Sequence, residues 1–598
     1  MCIRKVQYFN RVRGVVNTDE IAASSRESAE LAAVLAASLA LAACGGSQKD
    51  PAPSNRQVAV LKPQSDAEAA RFLAQAGFGG RQIEINMLKE IGYEAWLTQQ
   101  FKTSPQPSRW TYANDLRVKD LAAYQNWQGL PNILWQSMFT GNDVLQQRMT
   151  LALSEIFVIS YAGVDVPETI KSLVMADFMD ILQRNAFGNF YNLLREVTLS
   201  IAMGRMLGTL GNLKEDNKGR RPDENYAREV MQLFTIGLYE LNIDGSLKKD
   251  AQGQAIETYN LDTVSNLARV FTGWSAPLQF GVPNPDVELS RKPMTLQNAD
   301  HSALEKSFLG VTIPAGTDGH ASLKTALTTL FNHPNVGPFI GKQLIQRFVC
   351  SNPSPAYIAR VATAFNGGGA SSRGDMKNVI SAILMDPEAR QAPDGNAFAG
   401  KHREPMIRLV QLIRTLDYRS PDGVWRLGNT TDPSTRLGQG PLGASSVFNF
   451  FRPGYVPPGS ELAKQGLVAP EMQIVSEIST IVQLNYLYSL LTAPENSTLR
   501  TYNDSNGNNQ NDRKETGLSL FLHEEKALAD QPLLLVERFN LLFVCGQLSE
   551  AVKSAIVASV SKLAIGDPNP AKLDIQKQNR VFAALLMILS NPEYLVLK

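Results

Sequence analysis

The chain has 598 residues, 44% hydrophobic and 19% charged, the balance of a folded protein with a large core and not of a disordered one. Lys and Arg number 58 against 57 Asp and Glu, and a net charge of +1 without a dense basic stripe argues against a nucleic-acid partner. The four cysteines (Cys2, Cys44, Cys350, Cys545) form no CxxC pair, so zinc-ribbon and thioredoxin-like folds are excluded and core packing must hold the structure.

In chain order, residues 31–43 are a 13-residue Ala/Leu run without charge. A membrane span needs roughly 20 apolar residues, so this run predicts the apolar segment of a secretory signal. Leu41-Ala42-Ala43-Cys44 resembles a bacterial lipobox, after which cleavage leaves a lipidated cysteine. Residues 1–43 are accordingly expected to be a lipoprotein-type signal peptide and 44–65 a flexible tether. The mature protein is then exported and lipid-anchored in the periplasm or at the cell surface, touching the membrane through Cys44 alone. Glu27 and Glu30 stand where basic residues are usual, which leaves an Ala-rich cytoplasmic helix as the alternative.

From Asp66 onward apolar residues recur at the helical period, beginning with Ala69, Phe72, Leu73 and Phe78. Further helices are predicted at about 140–159, 170–183, 187–200, 224–236, 261–271, 321–331, 337–349, 355–365, 375–385, 405–416, 470–493, 531–546 and 574–590. Pro405 sits at a first helical position, and Gly237 and Gly273 follow amphipathic runs as stops. Strand patterns are few: Leu238–Asn242 before Asp244-Gly245 reads as a hairpin arm, and Gly310–Ile313 as a short strand. No internal repeat at a fixed spacing is evident. The expected fold is mainly α, one large multi-helix domain over 66–598 with minor β hairpins. Long irregular loops are expected at 276–300, 417–440 and 496–516.

Several phrases then stand out in fixed order. Arg184–Phe190 precedes Met203-Gly204 and Asn212; Pro222–Glu229 runs into Leu233–Gly237; Ala268–Trp274 precedes His301 and Lys306–Gly310. With Ala70–Leu73 and Pro441–Tyr455, they resemble the bacterial family known as domain of unknown function 1800, over roughly residues 66–598. The resemblance implies a large helical secreted or surface domain, and as partner an exported protein resembling sulfatases and phosphatases. It implies no particular reaction. Where many relatives show His-Asp, this chain has His301-Ser302.

The residues themselves offer three constellations. On a helix, Glu224 and Arg228 share one face, as do Asn225 and Glu229, while Ala227, Val230, Met231 and Phe234 face inward. Two carboxylates flanking an arginine can do acid–base work, with loop His301 as a further base; the same spacing also suits an ordinary ion pair at a helix start. Trp274 and Arg452 are the accompanying binding positions, the latter within the aromatic run Phe448–Tyr455, which stacks on sugars if exposed and lines the core if buried. Finally, Asp504, Asn506, Asn508, Asp512 and Glu515 occupy ligand positions of a twelve-residue calcium loop, although Asn509 stands at the position where such loops carry glycine. No HExxH, Gly-x-Ser-x-Gly or phosphate-loop pattern occurs. Two functions follow as expectations: an accessory or interaction protein acting with the exported partner on surface polymers, or an extracytoplasmic hydrolase using Glu224, Arg228, Glu229 and His301.

Overall fold

The computed structural model describes residues 62–598 apart from 122–123, 125–128, 283–284, 369–370, 392–397, 421–422, 426 and 493–517. The signal segment, Cys44, most of the tether and the calcium-loop residues Asp504–Glu515 lie outside the described residues. Helices dominate what is described, and the only strands among these residues make two-stranded antiparallel pairs.

The first described helix, Asp66–Ala76, shows how the sequence starts an element. Ser65 caps it by accepting from the Glu68 N–H, Asp66 and Glu68 place negative charge at its positive end, and Ala69, Phe72, Leu73 and Ala76 face inward. Phe72 meets Tyr93 and Trp96 at 4.8 and 5.1 Å between ring centres. The helix Glu168–Asn185 is buried on nearly every face, because the helices Arg109–Lys119, Val144–Ser154 and Phe190–Thr198 pack around it. One continuous apolar core runs from Ala69 to Leu597.

Predicted helices appear where the period is strong, with ends trimmed by local chemistry. The chain here divides into two helices, Phe190–Thr198 inside the predicted 187–200 segment and Ile201–Met206 beyond it, because Ser200 starts the second by accepting from the Met203 N–H. The 470–493 segment also divides, into a 3₁₀ turn Pro470–Ile474 and the helix Glu477–Thr492. At the break Ser476 and Ser479 exchange reciprocal backbone-to-hydroxyl bonds of 2.8 and 3.1 Å, satisfying donors that a continuous helix would pair internally. Among the described residues, four helices of ten or more residues had no predicted counterpart: Tyr93–Lys102, Arg109–Lys119, Gly129–Thr140 and Glu550–Ser561. Arg109–Lys119 has a non-local cause, since Asp180 of another helix accepts from the Arg109 and Trp110 N–H groups at 3.0 and 3.1 Å.

Buried arginines and one buried lysine hold helix ends together. Arg414 donates to Met138, Phe139 and Gly141 carbonyls at 3.1, 3.2 and 3.0 Å, closing the C-terminal end of Gly129–Thr140. Arg148 and Lys401 both donate to the Arg347 carbonyl at the end of Val336–Phe348, and Arg403 donates to the Phe543 carbonyl at 2.6 Å. A cation at the negative end of a helix satisfies carbonyls that have no intrahelical partner.

One repeat corrects the sequence reading. Gly237, Gly245 and Gly253, eight residues apart, all adopt positive φ (+71°, +77° and +79°). Each begins a short extended segment, and each segment pairs with both others: Tyr239 with Glu257, Leu241 with Leu247, and Lys249 with Ala255. A ring of backbone bonds closes the triangle, from Glu240 N–H to Ile256, from Lys248 N–H to Glu240 and from Ile256 N–H to Lys248. The predicted hairpin arm is thus one side of a three-sided module. Side chains at equivalent positions share little, which hides the period; the left-handed backbone that glycine tolerates carries it. Buried Asn335 anchors the module, donating to Ile236 and Tyr239 carbonyls (both 2.8 Å) and accepting from the Leu241 N–H at 3.0 Å.

Candidate functional site

The phrases that stand apart in the sequence meet in space. Helix Asn225–Gln232 lies against helix Leu261–Val270, and the latter packs against the strand Lys306–Phe308. Loops knit the far ends: Gly211 N–H donates to Trp274, Gly273 N–H to Asn212 and Lys214 N–H to Asp300. Asn212 and Asp223 exchange two bonds of 2.9 and 3.2 Å, fixing the chain just before Glu224.

Two groups of polar side chains result. In the first, Glu224 accepts from the Ser265 hydroxyl, which joins the two helices, and lies 3.5 Å from Arg228. That ion pair is about one-third exposed, so its own stabilisation is small. Glu229 differs: it is buried, one carboxyl oxygen has no hydrogen-bond partner, and burial raises its pKa against the opposing pull of Arg228. Beside it Tyr259 donates to Gln232 at 3.0 Å.

The second group centres on His301, which is 6% exposed. Its Nδ1 lies 2.9 Å from the Thr272 carbonyl, which can only accept, so Nδ1 carries the proton and Nε2 presents a lone pair. Nε2 is buried without a partner, and burial lowers the imidazole's pKa, keeping it neutral. Next to it, Ser302 donates its N–H to the Thr272 hydroxyl oxygen and its own hydroxyl to Glu215 at 2.8 and 3.0 Å. Lys306, wholly buried, donates to the Ser302 and Leu304 carbonyls at 2.9 and 3.1 Å, and burial lowers its pKa against the attraction of Glu215. Thus Ser302 is hydrogen-bonded to a carboxylate supplied from the loop at Glu215.

The charged groups that face His301 are Lys306, Asp318 and Glu215, not Glu224, Arg228 or Glu229. The four residues expected to form one catalytic set therefore occupy two clusters, one at helix Asn225–Gln232 and the other at the loop carrying His301. Thr272 and Glu215 were missed as neighbours of His301-Ser302 because loop crossings bring them there. Trp274 is buried; its ring meets His320 edge-on at 5.2 Å, and its indole N–H donates to the Val270 carbonyl. The aromatic run is divided: Phe451 is buried under the Arg347 guanidinium, whereas Phe448 and Arg452 are exposed.

A partly open cavity of about 30 Å³ lies elsewhere, lined among others by Arg109, Gln147, Thr150, Ser154, Met406 and Leu442. That is room for about one water molecule. Among the described residues, no group of three His, Cys, Asp or Glu side chains is placed to hold a metal ion. No helix among them is long and apolar enough to cross a membrane.

Comparison with curated proteins and with solved structures finds no match. Comparison with family models matches residues 71–596 to the family described as protein of unknown function DUF1800, a span that includes every phrase meeting around Trp274 and His301. The chain belongs to the DUF1800 family.

Proposed function

We propose that this protein is an exported accessory protein, lipid-anchored through Cys44, that docks a sulfatase- or phosphatase-like exported partner acting on surface polymers. The observation that supports an interaction role is the apolar exterior of the three-sided module. Leu238, Tyr239, Ile243, Leu247 and Leu261 are exposed, from 42% for Tyr239 to 71% for Leu261, within one short stretch. Large apolar side chains concentrated in this way mark a surface that gains by being covered. The module is also pre-organised by its closed ring of backbone bonds and by Asn335, so binding would cost little ordering entropy.

The test is capture of partners from native membranes by the full chain and by the triple variant Leu238→Ser, Ile243→Ser, Leu247→Ser. Capture of a sulfatase- or phosphatase-like protein should drop at least about tenfold, while the unfolding midpoint shifts little because the replaced side chains are exposed. Equal capture by both would sink the docking surface. Independently, Cys44→Ser should release the protein from membranes; a variant that still sediments with them removes the lipid anchor.

A hydrolase reading is favoured by one feature, the buried Glu229 carboxyl with an unpartnered oxygen beside Arg228. In that reading Glu229 is a general acid and Glu224 and Arg228 bind substrate, while His301, in the other cluster, takes no part. Glu229→Gln should then abolish turnover of an ester or sulfate ester while leaving the melting temperature nearly unchanged. Identical turnover in both proteins removes Glu229 from the chemistry.

A further inference from the structure

We propose that the cavity lined by Arg109 and one face of the helix Val144–Ser154 is a built site for one neutral ligand, a water molecule held by Arg109, Thr150 and Ser154. Gln147, Thr150, Leu151 and Ser154 recur at helical spacing, so a single face of that helix supplies much of the lining. Arg109 enters from the first residue of Arg109–Lys119. Most of the remaining wall is apolar, with Met138, Met179 and Leu442 among its residues.

The donors and acceptors on that lining name the ligand. Arg109 is 1% exposed; its Nη1 donates to Gln183 and lies 3.4 Å from the Asp180 carboxylate, and its Nη2 donates to Gln147 at 2.8 Å. Only its Nε has no partner, and a buried N–H is seldom left unbonded in a folded protein. Thr150 and Ser154 donate their own hydroxyl protons to the Gln146 and Leu151 carbonyls, both at 2.7 Å, so each hydroxyl oxygen remains as an acceptor. The two stand one turn apart on the same face, where Cβ atoms are about 5–6 Å apart, and two bonds of about 2.8 Å to one bridging oxygen span that gap. One donor and two acceptors are the complement of a water, which accepts once and donates twice. A volume of about 30 Å³ suits one such molecule.

Charge balance sets the class of ligand. Asp180 already pairs with Arg109, and neither hydroxyl has a proton left to give an anion. A bare cation would meet the guanidinium. The wall is fixed on the side of Leu442, whose φ of +58° a non-glycine residue adopts only where its surroundings impose it. Its carbonyl accepts from the Tyr161 N–H at 2.9 Å. The bound water thus ties the start of Arg109–Lys119 to the last turn of Val144–Ser154, helices that Arg109 and Gln147 also link.

A crystal structure of the full chain that shows ordered water is the test. One density peak is expected within hydrogen-bond distance of Arg109 Nε, Thr150 Oγ1 and Ser154 Oγ. The double variant Thr150→Val, Ser154→Ala nearly preserves the shape of the cavity and removes both acceptors, so its crystals should lack the peak, whereas Thr150→Ser should keep it. An empty cavity in the unmodified protein overturns the proposal, as does a peak that survives unchanged in the double variant. Crystals grown in bromide supply a further arm, since an anomalous signal at the site would identify an anion and overturn the neutral ligand. In solution, oxygen-17 relaxation dispersion should count one fewer internal water in the double variant; equal counts overturn the proposal. Should the double variant fail to fold, the crystal of the unmodified protein decides alone.

Discussion

Replacing Lys401 by methionine is expected to cost about 3–5 kcal/mol of folding stability, the usual penalty for leaving a buried charge without its partner. Lys401 is 3% exposed, and its ammonium serves three acceptors: the Glu471 carboxylate at 3.0 Å, the Arg347 carbonyl at 2.8 Å and Glu404 at 3.6 Å. Methionine fills similar space, so the loss is electrostatic and not a cavity. Both carboxylates would be left in a water-free site, and the C-terminal carbonyls of Val336–Phe348 would lose a donor. The urea midpoint of the full chain measures the loss. The double variant Lys401→Met, Glu471→Gln should recover part of it, because removing the second charge removes the reason for the penalty. Additive effects in that cycle would mean that the two side chains do not share a stabilising interaction.

The second large effect is expected from Gly273→Ala. Gly273 has φ +81°, and a Cβ there would lie 2.8 Å from the Gln297 carbonyl oxygen, 2.9 Å from the His301 nitrogen and 3.1 Å from its Cα. All three are backbone atoms and cannot rotate away. The left-handed conformation alone costs an alanine roughly 1–2 kcal/mol, and forcing two chain segments apart adds about 1–3 kcal/mol. A total loss of about 2–5 kcal/mol is expected, with His301 and the Thr272 carbonyl pulled out of register. Gly253→Ala separates the two causes: its φ is +79°, but nothing lies within 4 Å of the added carbon. It should cost only about 1–2 kcal/mol. If the two variants unfold at the same denaturant concentration, close backbone approach at Gly273 contributes nothing.

These two sites differ in how far the sequence announces them. Gly273 lies in the phrase Ala268–Trp274 and follows an amphipathic run, so a helix stop is legible there. What it stops against, the His301 backbone, is not. Lys401 gave no sign at all, because a lysine three residues before a glutamate and four before a helix-starting proline reads as a solvated turn. Its burial is decided by the loop carrying Gln439 and the turn carrying Glu471, which reach it from residues far along the chain.

The expected catalytic set shows the same division. The i to i+4 spacing of Glu224 and Arg228 correctly placed them on one face, because helix geometry is local. Their union with His301 required knowledge of which loops cross, and the crossing places His301 with Thr272, Ser302 and Glu215 instead. Likewise Asn335 reads as an ordinary helix-start residue, yet it anchors the three-sided module by bonds to Ile236, Tyr239 and Leu241.

The sequence by itself determined the mainly helical class, most helix positions and the family, because apolar period, caps and ordered motifs are properties of short stretches of chain. Only the tertiary structure decided which charges are buried, which carbonyls the arginines close, and how three glycine-led octads meet in a triangle. Burial depends on segments tens to hundreds of residues apart, which no short window contains, and the adjacent octads hide their pairing because backbone conformation, not side-chain pattern, carries it.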